Sequence, residues 1–509
     1  MDKILILDFG SQYTQLIARK IRELNVFSEI VPFNLKASEI AKIAPAGLIL
    51  SGGPGSVELK DFPLPDKDIF KLKIPTLGIC YGMQVMAKSL GGRVLNSKKR
   101  EYGKARIYSD GRGKIFESIK KDFICWMSHG DEVGKLPRGF KKTAHTDNCN
   151  IAAMESGDGF YAIQFHPEVV HTQYGKKILG NFLDVCNCRR DWKLSSFIKD
   201  SIADIKDRVG KDKVVLGLSG GVDSSVAAIL LNKAIGNKLH SVFVNNGLLR
   251  EGEADKINRI FKKDFNINLH YVDATEQFLS ALKGVIDPEK KRKIIGSEFI
   301  NVFDTIAKEI GGIKYLAQGT LYPDVVESIS AFGGPSARIK SHHNVGGLPV
   351  KMKLKLIEPF RFLFKDEVRK IGKLLKLPDE IVCRHPFPGP GLGVRVIGEV
   401  TKERLKVLRS ADTIIIEEIK AQGLYNKVWQ VFGVLLPVKS VGVMGDGRSY
   451  ENALAIRAVK SVDGMTADWA KLPYNVIGLI SNRIINEVKG INRVVYDVSS
   501  KPPATIEWE

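Results

Sequence analysis

The chain has 509 residues, of which 44% are hydrophobic and 26% charged, too long for one ordinary core and too apolar to stay unfolded. No apolar run approaches the roughly 20 residues that span a bilayer, and the N-terminal ILIL is followed at once by Asp8 and Gly10, so we expect a soluble cytoplasmic protein of two or three domains. The formal charge of +20 points to anionic partners, and nucleotides and nucleic acid both fit it, yet lysines and arginines are dispersed, with short clusters only at 98–100 and 290–293; a solvated basic surface is the preferred reading, and no nucleic-acid partner is expected.

Six cysteines (Cys80, Cys125, Cys149, Cys186, Cys188 and Cys383) form no CxxC and are too scattered for a disulfide framework. Cys186 and Cys188 lack a second pair of metal ligands.

In the first region, residues 1–190, strand-like runs at Ile4–Leu7, Leu48–Leu50 and Thr76–Ile79 precede DFGSQY, SGGPGS and CYGMQ. Alternation with helical stretches predicts an α/β fold with a doubly wound parallel sheet, whose sites gather at the carboxyl ends of the strands. GICYGMQVMAKSLGG places Cys80 at a sharp strand-to-helix turn between Gly78 and Gly82, where the helix N-terminus favours a nucleophilic thiolate. YAIQFHPE ends another strand-like run. Pro167 biases His166 away from helix, so His166 and Glu168, two apart, can face the same side. His166 can then take the thiol proton and Glu168 orient the imidazole. His145 and His171 read as surface or packing residues.

GICYGMQ and FHPE, preceded by SGGPGS, resemble the class I glutamine amidotransferases, and the resemblance covers the whole first region. It implies that Cys80 attacks the glutamine side-chain amide, forms a glutamyl thioester and releases ammonia. It also assigns the backbone N–H groups of Gly53 and Tyr81 to an oxyanion hole, and sets Gln84, with His129 and Asp131 of SHGD, near the glutamine pocket.

The second region, 191–384, opens with a predicted helix over Asp191–Val209 and continues with KVVLGLSGGVDSSVAAILLNKA, which reads as strand, phosphate loop and helix. Gly220 and Gly221 permit close backbone approach; Ser219, Asp223, Ser224 and Ser225 stand beside a helix N-terminus suited to an anion. The Lys-Ser/Thr pair of the common nucleotide loop is missing. An ordinary glycine turn would share the two glycines, but strand ends before Arg250 and before Tyr322, Asp324 and Glu327 suggest a shared nucleotide pocket. SGGVDSS resembles the pyrophosphate-gripping loop of the ATP pyrophosphatases, a Rossmann-like domain. On that resemblance Ser219, Gly220, Gly221, Val222, Asp223, Ser224 and Ser225 bind ATP, and Asp223 is a ligand for Mg2+, directly or through water. IKSHHNVGGLP suits a segment closing over charged substrate; Lys340 is assigned to phosphate neutralisation, although a solvated lysine fits as well. Adjacent His342 and His343 without a third ligand do not make a zinc site.

The last region, 385–509, begins with the rigid HPFPGPGLGVRV loop, continues with a helix over about Lys402–Gln422, and then carries a hairpin signal at Asp446–Gly447. RVVYDVSSKPPATIEWE reads as a strand, a two-proline turn and a short final strand. HPFPGPGL, VGVMGDGR and SKPPATIEWE, following an ammonia generator and an adenylating domain, resemble the glutamine-hydrolysing, single-chain GMP synthase family along the whole chain. The loop departs from it only in having Gly393 where alanine is familiar. The resemblance implies a smaller α+β C-terminal domain that forms a homodimer, and an XMP site at Arg250, Gln430, Lys501, Thr505 and Glu507. Glutamine, ATP and XMP would be the substrates, with Mg2+ and no organic cofactor. Ammonia would have to reach adenylated XMP without protonation in bulk water, which predicts domain closure.

Two rivals differ in testable features. A glutamine-dependent NAD synthetase carries a nitrilase-like glutaminase rather than GICYGMQ with FHPE. An RNA-binding sulfurtransferase needs partnered cysteines beside the ATP site and salt-dependent RNA binding, whereas Cys383 is alone after the loop.

Overall fold

The computed structural model describes residues 2–58, 62–328, 354–444, 447–461, 464 and 466–509. They fall into two compact units: Met1–Phe197 with a segment that begins at Leu321, and Ile198–Thr320 with the later part of the chain through Glu509. Each unit is described by itself.

The first unit is built on a nine-stranded sheet. Its strands are β1 (Lys3–Asp8), β2 (Phe27–Pro32), β3 (Gly47–Leu50), β4 (Thr76–Ile79), β5 (Arg93–Ser109), β6 (Asp122–Lys135), β7 (Phe140–His145), β8 (Ala153–Ser156) and β9 (Phe160–Ile163), in the order β2-β1-β3-β4-β9-β8-β7-β5-β6. The runs ILIL, GLIL, TLGI and FYAI are buried throughout, as expected of parallel strands covered on both faces. β3, β4 and β9 are adjacent and parallel, with Leu50 opposite Gly78, Gly78 opposite Ala162 and Ile79 opposite Ile163. The turns that follow them therefore emerge side by side. At the far edge, β5 and β6 pair antiparallel, but the register breaks between Asn96↔Asp131 and Glu101↔His129. Residues 97–100 thus bulge against Gly130 alone, and such an insertion re-aims the side chains that follow it.

The second unit begins with the helix Leu194–Val209 and a five-stranded parallel sheet: β10 (Lys213–Gly217), β11 (Leu239–Asn245), β12 (Leu269–Asp273), β13 (Ile313–Ala317) and β14 (Lys355–Ile357), in the order β12-β11-β10-β13-β14. From β10 the chain winds first to one side and later to the other. The crevice between the carboxyl ends of β10 and β13 is thus a topological switch point, the ordinary place for a ligand in such a sheet. Val215, Val242 and Leu316 of this sheet share a core with Leu405, Leu408 and Ile415 of the helix Lys402–Ala421 and with Leu454 and Ile456. The latter two lie on β16 (Gly447–Lys460), which pairs antiparallel with β15 (Gln430–Met444) and β17 (Asp468–Trp469) and parallel with β18 (Ile491–Asp497). The two strands of the expected hairpin pair as far as Met444↔Gly447; Asp446 lies outside the described residues.

The expected final strand is absent. Residues 502–509 form no strand, because the fully buried Arg457 guanidinium donates to the carbonyls of Ser499 (2.6 Å), Thr505 (3.0 Å) and Ile506 (3.4 Å) and so takes acceptors that a ladder would need.

Candidate active sites

Cys80 sits between β4 and the helix Tyr81–Ser89 with φ 53° and ψ −109°, a backbone conformation that a non-glycine residue adopts only under constraint. The constraint is steric. A methyl group on Gly82 would lie 2.2 Å from the Leu50 carbonyl oxygen, so the helix can press this closely onto β3 only with glycine there. The Cys80 N–H is held by the Ile163 carbonyl (2.8 Å), and Gln164 Nε2 lies 3.7 Å from Sγ.

At the end of β9, His166 Nδ1 donates to Glu168 Oε1 at 2.7 Å, and the Cys80 side chain stands close enough to influence the ring. All three residues are buried. Burial alone would lower the His166 pKa, but the Glu168 charge and the Cys80 side chain outweigh it and raise it to about 11. Thr172 Oγ1 donates to the His166 carbonyl (2.6 Å), and Tyr13 packs edge-on against the ring. Tyr81 begins the helix, so its N–H is one of the first-turn donors without an intrahelical acceptor, while Gly53 follows β3 on the adjoining turn.

The residues expected near the glutamine pocket converge on one backbone atom. Gln84 Nε2 donates to the Asp131 carbonyl (2.9 Å), and His129 Nδ1 reaches the same oxygen (3.0 Å). Asn96 Nδ2 donates to the Asp131 carboxylate (3.3 Å). Glu101, which no sequence motif singles out, lies opposite His129 and contacts its Nε2 at 3.1 Å. Glu101, His129 and Cys149 bring potential metal-ligating atoms within 4.8 Å of one another, but both His129 nitrogens and both Glu101 oxygens are engaged in hydrogen bonds.

In the second unit, Gly221 caps the helix Val222–Ile235 and Gly220 takes φ 73°. The loop braces itself: Ser224 Oγ accepts from the Ser219 N–H (3.2 Å) and lies 3.0 Å from Ser219 Oγ, which accepts from the Gly221 N–H (3.3 Å). Asp223 Oδ2 accepts from Lys365 Nζ (2.7 Å), whereas its buried Oδ1 has no hydrogen-bond partner among the described residues, nor does the buried Ser225 hydroxyl. Arg384 Nη1 donates to the Gly220 carbonyl (3.0 Å). Sequence reasoning misses both cations. Lys365 lies 142 residues from Asp223 in no recognisable motif, and Arg384 stands in the sequence only as the last residue before a domain boundary. Tyr322 and Asp324 belong to the segment that groups with the first unit. Lys340, His342 and His343 lie outside the described residues, as does the Glu327 side chain.

The five residues expected at an XMP site all belong to this second unit, and internal partners hold them. Arg250 Nε pairs with the buried Asp412 (3.0 Å). Glu507 accepts two hydrogen bonds from the fully buried Arg395 (3.0 and 2.8 Å) and one from Gln430 Nε2 (2.8 Å). The Lys501 ammonium donates to the Gly464 carbonyl (2.8 Å), and the Thr505 hydroxyl to the Glu507 carbonyl. The Phe387 ring lies within 5.1–5.2 Å of the guanidinium carbons of Arg250, Arg384 and Arg395. Each of the three guanidinium groups is paired with a carboxylate: Arg250 with Asp412, Arg384 with Glu253 and Arg395 with Glu507.

Three family models match in succession: glutamine amidotransferase class-I over residues 5–186, NAD synthase over 193–298, and GMP synthase C terminal domain over 417–508. Full-length relatives carry all of it. The chain is 61% identical to a glutamine-hydrolyzing GMP synthase of Brachyspira hyodysenteriae, covering 100% of this chain and 99% of that one. It is 58% identical to the protein of the same name from Carboxydothermus hydrogenoformans, with coverage of 100% and 99%. The Aquifex aeolicus protein of that name is 57% identical over 99% of each chain.

Proposed function

The chain belongs to the glutamine-hydrolysing GMP synthases, and on that footing we propose how its residues divide the work of aminating XMP to GMP. What carries the reading is the coexistence, in one chain matched end to end by such enzymes, of a Cys-His-Glu constellation on adjacent parallel strands and a phosphate loop at a switch point. The chain is a ligase that uses glutamine as nitrogen donor and ATP as the source of activation.

In the first unit, His166 takes the Cys80 proton and Glu168 keeps the imidazole aligned through Nδ1. The thiolate attacks the glutamine amide carbon, with the backbone N–H groups of Gly53 and Tyr81 receiving the developing oxyanion. Collapse expels ammonia, to which His166 returns the proton, and water then hydrolyses the glutamyl thioester to glutamate.

In the second unit, Ser219–Ser225 hold the β- and γ-phosphates while O2 of XMP attacks the α-phosphate, giving adenylated XMP and pyrophosphate. Ammonia adds at C2 and AMP departs. The orphaned Asp223 Oδ1 is chemically suited to a hard cation, so Asp223 would hold magnesium, which offsets phosphate charge when bound with ATP. Lys365 adds positive charge beside the loop, and Arg250, Gln430, Lys501, Thr505 and Glu507 surround the nucleotide acceptor. We assign residues 1–190, 191–384 and 385–509 to glutamine hydrolysis, adenylation, and XMP binding with dimerisation.

The homodimer proposal is supported by exposed Val441 and Val443 on β15, with exposed Tyr450 opposite Val441 on β16; a second copy of this chain would cover that apolar arm. Free thiols at all six cysteines fit a reducing cytoplasm, and among the described residues no helix is long and apolar enough to cross a membrane.

The deciding experiment measures GMP formation from XMP and Mg-ATP with glutamine or with ammonium. Cys80→Ala should lose glutamine-dependent synthesis by at least about 10³-fold and keep the ammonium-dependent rate within about twofold. Wild-type protein that consumes ATP yet makes no GMP from either nitrogen source would remove XMP as the acceptor.

A further inference from the structure

We propose that Glu101 is a positioning residue for the glutamine pocket, holding His129 as an imidazolium so that the ring and Gln84 together fix the Asp131 carbonyl. The inference rests on the reading of Gln84, His129 and Asp131 as glutamine-site residues, and its own content is a protonation state forced by hydrogen-bond partners.

The Asp131 carbonyl oxygen can only accept, so His129 Nδ1, 3.0 Å away, carries a proton and donates it. The other nitrogen, Nε2, meets Glu101 Oε2 at 3.1 Å. Two proton arrangements satisfy that contact: a neutral carboxyl donating to a bare nitrogen, or an imidazolium donating to a carboxylate. The surroundings of Glu101 select the second. Its other oxygen, Oε1, accepts from the Thr146 hydroxyl (2.8 Å) and from Asn148 Nδ2 (3.5 Å), and hydrogen bonds donated to a carboxylate favour the charged form. A carboxyl group is ordinarily a stronger acid than an imidazolium by about 2 pH units, so in the hydrogen bond the two share the proton lies on the ring. Glu101 is therefore an anion, and His129 carries both ring protons.

Both side chains are almost completely buried, at 6% exposure for Glu101 and 1% for His129, so the pair is little screened by solvent. The bulge at 97–100 brings Glu101 into direct cross-strand register with His129. Thr146 and Asn148 come from the turn after β7, so one carboxylate ties three parts of the first unit to a single carbonyl. Gln84, from the helix that Cys80 caps, donates to that same oxygen. Moving the Asp131 carbonyl would therefore move a group joined to the nucleophile's own helix.

The test uses the full chain and Glu101→Gln, which keeps shape and can donate its amide N–H to a neutral Nε2. In [15N]histidine-labelled protein, with His129→Gln used only to assign the resonance, wild-type His129 should show two protonated ring nitrogens and Glu101→Gln one. KM for glutamine should rise about tenfold while kcat with saturating glutamine, which controls for the folding of the first unit, changes less than about threefold, and ammonium-dependent synthesis, which reports the second unit, should stay at the wild-type rate. A neutral His129 in wild type, an unchanged glutamine KM in Glu101→Gln, or an equal loss with both nitrogen sources would each overturn the proposal. A Cys80→Ala enzyme that still used glutamine would instead overturn the reading of the first unit, and the resonance measurement would stand apart from it.

Discussion

The thiol site and the phosphate-loop site solve opposite problems. In the first unit the groups that act on one another are already assembled: Glu168 holds His166 at 2.7 Å, and Cys80 stands close enough to raise the pKa of the ring. In the second unit the charged groups we propose for ligands are engaged with other side chains, Asp223 with Lys365, Arg250 with Asp412, and Glu507 with Arg395. Covalent catalysis needs alignment before substrate arrives. A site for polyanions must instead store cations in a protein interior without them, and buried cations are tolerable only when paired. The first site should therefore be sensitive to displacement, the second to charge imbalance.

The largest effect expected from that contrast is at Glu507. Arg395 is fully buried and Glu507 is 17% exposed at the side chain, so Glu507→Ala leaves an uncompensated guanidinium. Breaking such a pair from one side costs roughly 3–5 kcal/mol. We expect a loss of that order in the stability of the second unit, read by urea denaturation, together with lower GMP synthesis from glutamine and ammonium alike. A cost below about 1 kcal/mol would mean that Arg395 is balanced by something other than Glu507.

Displacement is tested by Gly82→Ala. The added methyl would meet the Leu50 carbonyl oxygen at 2.2 Å, a backbone atom that cannot rotate away, so the helix carrying Cys80 at its cap must move. Overpacking of this kind costs about 1–3 kcal/mol, and a shift near 1 Å at a nucleophile costs on the order of 10²-fold in rate. Glutamine-dependent synthesis should fall by about that factor, and ammonium-dependent synthesis should not. A parallel loss of both would show that the two sites do not divide as their geometry suggests.

The same contrast explains which features are legible in the amino-acid sequence. The α/β class, the strand-turn-helix around Cys80, and the spacing of His166 and Glu168 are local features, carried within a few residues by apolar periodicity, glycine and proline. The phosphate loop is equally local. Lys365 and Arg395 are not, for their partners Asp223 and Glu507 lie 142 and 112 residues away, and a lone cation in an amphipathic stretch or a Pro/Gly loop looks like any solvated one. Glu101 is hidden because a bulge, which leaves no periodic trace, sets its register with His129. The terminal TIEWE reads as strand by propensity, but tertiary context overrides propensity: Arg457 occupies its carbonyls.

Charge imbalance has one further consequence, smaller than the others and dependent on pH. His385 stacks on Tyr425 with ring centroids 3.8 Å apart, and its Nε2 donates to the Tyr425 carbonyl at 2.8 Å. Burial pushes its pKa down; the Tyr425 carbonyl opposes this, but the positive charges of Arg250, Arg369 and Lys420 add to it, and the value falls to about 4. An unfolded histidine titrates near 6.5. Between these values the unfolded chain binds a proton that the folded chain does not, so stability rises with pH across this window. The contribution is complete above about 6.5 and is lost as pH falls toward about 4. From pH 7.5 to 5.0 the loss attributable to this ring is about 2 kcal/mol. His385→Gln can still donate to Tyr425 but cannot titrate, so its urea stability should fall by that much less than wild type over the same interval. Equal pH slopes in the two proteins would mean that His385 accepts a proton despite its cationic neighbours, and that the second site is less strongly positive than its arginines imply.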